Sequence, residues 1–189
     1  SVAIEVVDCG NRDSIFRWAN SVSAETTELN GLFNNAGVAY GALFSESSEK
    51  NFKWLIDINL WGVIHGSRAF LPLLLKAERA HLVNLSSIFG MVGVPTQSAY
   101  NATKFAVRGF SEALQAEYRG TNLFVSCVHP GGVLTNIARA ARTDGQENFS
   151  DADTRDARFR QLARTTPERA AEIILNRTLK GVPRILVGR

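Results

Sequence analysis

The run "HLVNLSSIFGMVGVPTQSAYNATKFAVRGF", residues 81–110, decides the fold. Its first seven residues, "HLVNLSS" (81–87), form a short and almost continuously apolar run, as a strand covered on both faces requires. From 98 to 118 the pattern becomes helical. A strand followed by a helix is half of a βαβ unit, and the same alternation extends in both directions. "AIEVVD" (3–8), "GLFNN" (31–35), "FVSCVHP" (124–130) and "RILVG" (184–188) read as further strands. Helices are expected at 12–24 (with Asn11 or Asp13 as cap), at 49–76, at 98–118, and at 167–179, where Pro167 follows Thr166 at a first turn. The alternation predicts a doubly wound parallel α/β sheet in one domain, residues 1–189. Residues 136–166 are polar, rich in Arg and Asp, and poor in strand signal. A long excursion of that kind is expected to be functional, here as a substrate lid.

The 189 residues are 45% hydrophobic and 21% charged, enough for one sizeable core. The net charge of +3 is small. The densest basic run, from Arg139 to Arg164, is interleaved with acids, which argues against a nucleic-acid partner. "AFLPLLL" (69–75), the most apolar stretch, is far too short to span a bilayer, so no membrane partner is expected. Cys9 and Cys127 stand alone in apolar runs, which fits reduced thiols and a cytoplasmic setting. No metal site is expected. The chain opens at Ser1 directly into "SVAIEVVD", which reads as the middle of a protein.

In open α/β sheets, ligands bind outside the carboxyl ends of the strands. Here those ends bear Asp8, "NNAG" (34–37), "SS" (86–87) and "PGG" (130–132). Tyr100 and Lys104 lie one helical turn apart, about 5–6 Å between Cβ atoms. A free phenol has a pKa of about 10, and a neighbouring ammonium would favour the phenolate and make Tyr100 a usable acid or base. Taken alone, the pair is also what an exposed amphipathic helix face would show. Ser87 sits thirteen residues before Tyr100, where its hydroxyl could share an oxygen with the phenol or simply cap a turn. Asn59, in "DINLWG", has apolar neighbours and is expected to be buried with a specific partner. "HPGG" in isolation is an ordinary turn, and His129 is expected to bond locally.

Taken together, "NNAG", "NLWG" (59–62), "NLSS" followed by "YNATK", and "HPGGVLT" closely resemble the short-chain dehydrogenase/reductase family, in order and spacing, across residues 1 to about 137. The resemblance implies a Rossmann-like three-layer αβα fold and an NAD(P)(H)-dependent alcohol dehydrogenase or ketoreductase. Hydride would pass between NAD or NADP and an alcohol or ketone. By the same resemblance, Tyr100 is the catalytic acid/base and Lys104 binds the nicotinamide ribose and lowers the phenol's pKa. Ser87 polarises the substrate oxygen, and Asn59 holds a water that relays protons from Lys104. Asp8 would lie near the adenine and Asn35, Ala36 and Gly37 beside the adenosine ribose, while Pro130, Gly131, Val133 and Thr135 would close over the nicotinamide. A homodimer or homotetramer through helices 49–76 and 98–118 is also implied.

One part of the family pattern is not found. No glycine-rich turn for the pyrophosphate occurs, and the family places it, with two strands, ahead of "AIEVVD". The strand that selects NAD or NADP belongs to that portion, so the preference is not legible. With neighbouring strands about 4.8 Å apart, the strands at 3–8 and 31–35 would stand roughly 14 Å apart. Two other classes compete: a degenerate relative that acts as a binding module, and a serine hydrolase. The hydrolase would need a G-x-S-x-G elbow, and Ser87 sits in "NLSSIFG" instead.

Overall fold

Asn11 opens the first helix, α1 (Arg12–Glu25), by accepting a hydrogen bond from Ser14 N at 2.9 Å. Ile15 and Ala19 are its buried positions, four residues apart on one face. The structure, a computed structural model, describes residues 2–145 and 151–188. After α1 the order is β1 (Gly31–Asn34), β2 (Tyr40–Gly41), α2 (Glu49–Ile56), a π-helical turn (Asp57–Trp61), α3 (Gly62–Leu74) and β3 (Ala80–Leu85). The chain continues as α4 (Ser98–Glu117), β4 (Leu123–Pro130), β5 (Arg142–Thr143), α5 (Ala152–Leu162), α6 (Pro167–Leu179) and β6 (Arg184–Val187). Thr166 caps α6 through Arg169 N at 3.2 Å, with Pro167 in the first turn as expected.

The main sheet is parallel throughout, in the order β1-β3-β4-β6. Helices cover both of its faces. On one side Leu32, Leu82 and Val125 meet Ala19 of α1 and Phe70, Leu73 and Leu74 of α3. On the other, Val83, Val128, Ile185 and Val187 meet Ala170, Ile173 and Ile174 of α6. Alternate strand residues therefore enter opposite cores, and this is why these strands read as unbroken apolar runs. Among the described residues no helix is long and apolar enough to cross a membrane.

Three expectations need correction. Residues 3–8 join no ladder, and Val2, Ile4 and Val6 are 90%, 91% and 98% exposed. β1 pairs on one side only, with β3, and residues 3–8 pair with no strand among the described residues. The expected single helix at 49–76 is α2 and α3 joined by the π turn, and it ends at Leu74. The 136–166 segment is not devoid of regular structure. It contains α5, and β5, which forms a separate two-stranded parallel pair with β2. Residues 146–150 of this segment lie outside the described residues.

A polar row crosses the larger core. Asn34, Asn84 and Cys127 are in register on neighbouring strands. The Asn34 Nδ2 donates to Asn84 Oδ1 at 2.8 Å and to Ser67 Oγ at 3.0 Å, and Asn84 Nδ2 donates to Ser111 Oγ of α4 at 3.1 Å. The amide of Asn34 is thereby fixed, and Gly66 of α3 packs directly on it. A Cβ at Gly66 would collide with Asn34 Oδ1 and lie 3.3 Å from its Cγ. In a free helix, Gly→Ala stabilises by about 1 kcal/mol. Here Gly66→Ala should instead destabilise by about 1–3 kcal/mol, as overpacking does. Urea unfolding tests this: a lower midpoint at unchanged slope is expected, and a raised midpoint would contradict it.

Candidate active site

The end of β3 and the first turns of α4 are stitched together at Lys104. Ser86 Oγ donates to Lys104 O at 2.8 Å, and Lys104 Nζ donates to Leu85 O at 3.0 Å. Gly90 lies against both, since a Cβ there would be 2.7 Å from Lys104 O and would collide with Ser86 Oγ. Between strand and helix, Asn101 grips the connecting loop. Its Oδ1 accepts from Val94 N at 3.0 Å, while its Nδ2 donates to Phe89 O and Val92 O. Thr96, with φ 69°, turns the chain into α4. Tyr100 is thus held in place by backbone contacts on either side of it.

Tyr100, Ser87 and Lys104 converge. Tyr100 is 8% exposed, and Lys104 Nζ stands 5.5 Å from the centre of its ring. Ser87 caps the short turn Ile88–Gly90 by accepting from Phe89 N at 3.1 Å, so the capping expectation holds beside the functional one. Its own proton makes a long 3.5 Å contact to Pro130 O and is close enough to the Tyr100 phenol to act on it. His129 bonds locally as expected, through Nδ1 and Ser87 O at 3.0 Å. Burial lowers its pKa, which leaves the ring neutral near pH 7.

Asn59 lies in the π turn, fully buried. Its Oδ1 accepts from Val38 N and its Nδ2 donates to Val38 O, both at 2.8 Å. The side-chain amide therefore fixes the backbone just after "NNAG", and these two bonds occupy both ends of it. A π turn is often a mark of a functional position, and this one brings Asn59 to Gly37. A Cβ at Gly37 would lie 3.4 Å from Asn59 Oδ1 and 3.5 Å from Lys104 Nζ. Gly37 therefore stands in contact range of the ammonium, which is itself buried.

The remaining sequence-picked residues lie around this centre. Asn35 and Ala36 belong to the turn between β1 and Val38. Pro130 ends β4, Gly131 N donates to Val187 O at 2.7 Å, and Val133 is buried and bridged to Thr165. Thr135 is exposed. Asp8 is exposed and does not end a strand, because residues 3–8 form none. Its Oδ1 accepts from Gly10 N at 2.9 Å, and the turn it shapes packs on Ile58 and Asp57 beside the π turn. Sequence reasoning missed Asn84 and Asn101. A polar residue inside a continuously apolar strand, and the Asn directly after Tyr100, were the available signals.

Electrostatics departs from the expectation for the pair. Burial pushes the Tyr100 phenol up to about 12, with the Ser87 hydrogen bond opposing it. Burial also brings Lys104 down to about 8 from 10.5. The ammonium was expected to dominate, but in this enclosed site desolvation of both groups outweighs it. The sign for stability follows from the Lys104 shift. Between about 8 and 10.5 the unfolded chain binds more protons than the folded one, so the Lys104 contribution to stability rises with pH across that window. Below it the buried ammonium costs the fold its full amount. Lys104→Met should therefore be more stable than wild type at pH 7 by on the order of 1–3 kcal/mol. The advantage should shrink as the pH approaches 10.5. Urea unfolding at both ends of the window checks this, and a less stable variant at pH 7 would contradict it.

Residues 1–146 match the family model described as short chain dehydrogenase. SadH of Mycobacterium tuberculosis, named as an oxidoreductase, is 42% identical over 185 residues, covering 96% of this chain and 66% of SadH. The chain thus spans just under two thirds of that relative's length. Among solved structures, a short chain dehydrogenase/reductase from Burkholderia phymatum in complex with NAD superposes with a TM-score of 0.84 at 29% identity. It is matched over 97% of this chain and 70% of that one. A closed serine dehydrogenase complexed with NADP+ gives a TM-score of 0.79 at 27% identity, over 97% and 74% of the two chains.

Proposed function

The chain belongs to the short-chain dehydrogenase family, an oxidoreductase family, and from that premise we propose that it interconverts an alcohol and a ketone with NAD or NADP, Tyr100 moving the proton. The observation that carries this reading is the convergence of Ser87, Tyr100 and Lys104, with Gly37 beside the Lys104 ammonium. The dinucleotide supplies the hydride when bound. This chain's residues fit such a group. Lys104 gives one ammonium hydrogen to Leu85 O, which leaves two for ribose hydroxyls. Pro130, Gly131, Val133 and Thr135 would flank the nicotinamide, and Asn35, Ala36 and Gly37 the adenosine ribose. By family resemblance, Asp8 would lie near the adenine. NAD and NADP both remain in the proposal, as relatives crystallised with either resemble the chain equally in kind.

In the direction of reduction, Tyr100 Oη donates its proton to the carbonyl oxygen, and Ser87 Oγ turns from Pro130 O to hydrogen-bond the same atom. With its pKa raised by burial, Tyr100 holds that proton at neutral pH, the state reduction needs. Lys104 then stands close enough to stabilise the phenolate left behind. Oxidation runs the same transfers backwards. Asn59 acts by holding Val38, and hence Gly37. A water relay from Lys104 through this residue would have to use groups other than the side-chain bonds to Val38.

The lid belongs to the same reading. The excursion leaves and returns at one place: Leu134 N donates to Thr165 O at 2.9 Å and Thr165 N to Gly132 O at 3.3 Å. A Cβ at Gly132 would lie 2.7 Å from Ala163 Cα, so only glycine lets the two ends meet. Self-assembly into a dimer or tetramer would use the helical region that exposes Trp61 and Phe105, which are 46% and 42% exposed.

In the intact protein, Tyr100→Phe should lower turnover by at least about 100-fold with cofactor affinity nearly unchanged, whereas Lys104→Ala should weaken both. Steady-state rates with ketone and NADH or NADPH, alongside nicotinamide fluorescence titration, check this. Comparable turnover by wild type and Tyr100→Phe would remove the assignment. For the lid, hydrogen exchange in residues 136–145 and 151–162 should slow when nucleotide and ketone are added together, and unchanged exchange would count against it.

A further inference from the structure

Away from Tyr100, a dense set of polar contacts surrounds Asp144, which no step of the proposed mechanism uses. Its Oδ2 accepts from Tyr40 Oη and Ser48 Oγ, each at 2.6 Å, and from Ser48 N at 2.9 Å. Its Oδ1 accepts from Asn51 Nδ2 at 2.9 Å. Four donors on two oxygens is an arrangement only a carboxylate can accept. Hydrogen bonds from Ser48 first, and then from Tyr40, hold this carboxyl well below the usual range, so it is ionised at neutral pH.

The chain on either side of Asp144 is fixed to the same partners. Arg142 N donates to Ala39 O at 3.1 Å, and Asp144 N to Gly41 O at 3.4 Å, which completes the β2–β5 pair. The Arg142 guanidinium stands 3.7 Å over the Trp54 ring. Gly145, at φ 86°, lies against Glu46. The partner strand is tied in the other direction as well. Ala42 N donates to Thr96 O at 2.9 Å, four residues before Tyr100, and Tyr40 packs with Ala42, Leu55 and Ala99 in the apolar cluster that contains Tyr100. Tyr40, 2% exposed, therefore touches the Tyr100 cluster with its ring and Asp144 with its hydroxyl.

We propose that Asp144 is a positioning residue for substrate: through Tyr40, Ser48 and Asn51 it sets how far the first part of the 136–166 excursion stands from Tyr100, and so the width of the space a ketone occupies. This rests on the function proposed above. The link acts on binding and not on proton transfer, because it reaches Tyr100 only through apolar packing and touches neither Ser87 nor Lys104. Its nearest approach along the chain to the groups assigned to the nucleotide is Ala39, two residues beyond Gly37.

The test is steady-state kinetics of the intact protein with acetophenone, cyclohexanone and 2-octanone, each with NADH and NADPH. Asp144→Asn keeps the size but turns one oxygen into a donor facing other donors. It should raise the KM of the best ketone about 10-fold, with kcat and nucleotide Kd each within about 2-fold of wild type. Tyr40→Phe should raise KM about 3-fold in the same way, and the double variant should be no worse than Asp144→Asn alone, since both act through one network. If Asp144→Asn does not accumulate as folded protein, Tyr40→Phe carries the test. A KM within about 2-fold of wild type, or a KM change matched by equal losses in kcat and nucleotide affinity, overturns the proposal while leaving the function intact. A wild type that reduces no ketone with either nucleotide overturns the function, and this inference with it.

Discussion

Two hydrogen bonds running in opposite directions, both at Lys104, hold the site together. Ser86 reaches from the strand end to the helix backbone, and Lys104 reaches from the helix to the strand backbone. The pair fixes both the spacing and the rotation of α4 against β3. Once α4 is placed, Tyr100 one turn earlier must lie beside Ser87, and Val107 and Ser111 further along must face the sheet. The lysine is therefore part of the scaffold as well as of the proposed chemistry. Its buried ammonium costs the fold stability at neutral pH.

The same economy recurs at Asn59. A buried asparagine with both ends bonded to one residue's backbone acts as a rigid spacer. It fixes Val38 and with it the position of Gly37, which lies beside the Lys104 ammonium. The missing side chain at position 37 and the fixed amide at position 59 are complementary devices.

The sheet was legible because its residues report on two neighbours at once: Leu82 and Val83 enter opposite cores, so neither position can be polar, and the run stands out. Ser87, Tyr100, Lys104 and Asn59 were legible because their types and spacings are unusual together. What stayed hidden depends on distant partners. "AIEVVD" has the composition of a strand, but a strand is defined by what lies beside it, and no composition encodes that. Asp144 sits in a polar stretch and gives no local hint that Tyr40, more than a hundred residues earlier, will bond to it. The direction of the Tyr100 pKa shift was misjudged for a related reason. Helical spacing gives the distance from ammonium to phenol, but burial depends on the whole fold, and burial prevailed.

The widened turn at Asp57–Trp61 has a further effect on the helices it joins. A regular helix advances roughly 100° per residue, so one extra residue in a turn rotates everything beyond it by about that angle. Before the turn, Leu55 points into the apolar cluster around Tyr100; after it, Phe70, Leu73 and Leu74 point into the core beneath the sheet. The two faces reach different cores, and the turn sets the angle between them. The irregular turn works as a phase shifter between them. In this stretch a gained or lost residue would be an error of angle before it was an error of length, which would misdirect one entire hydrophobic face.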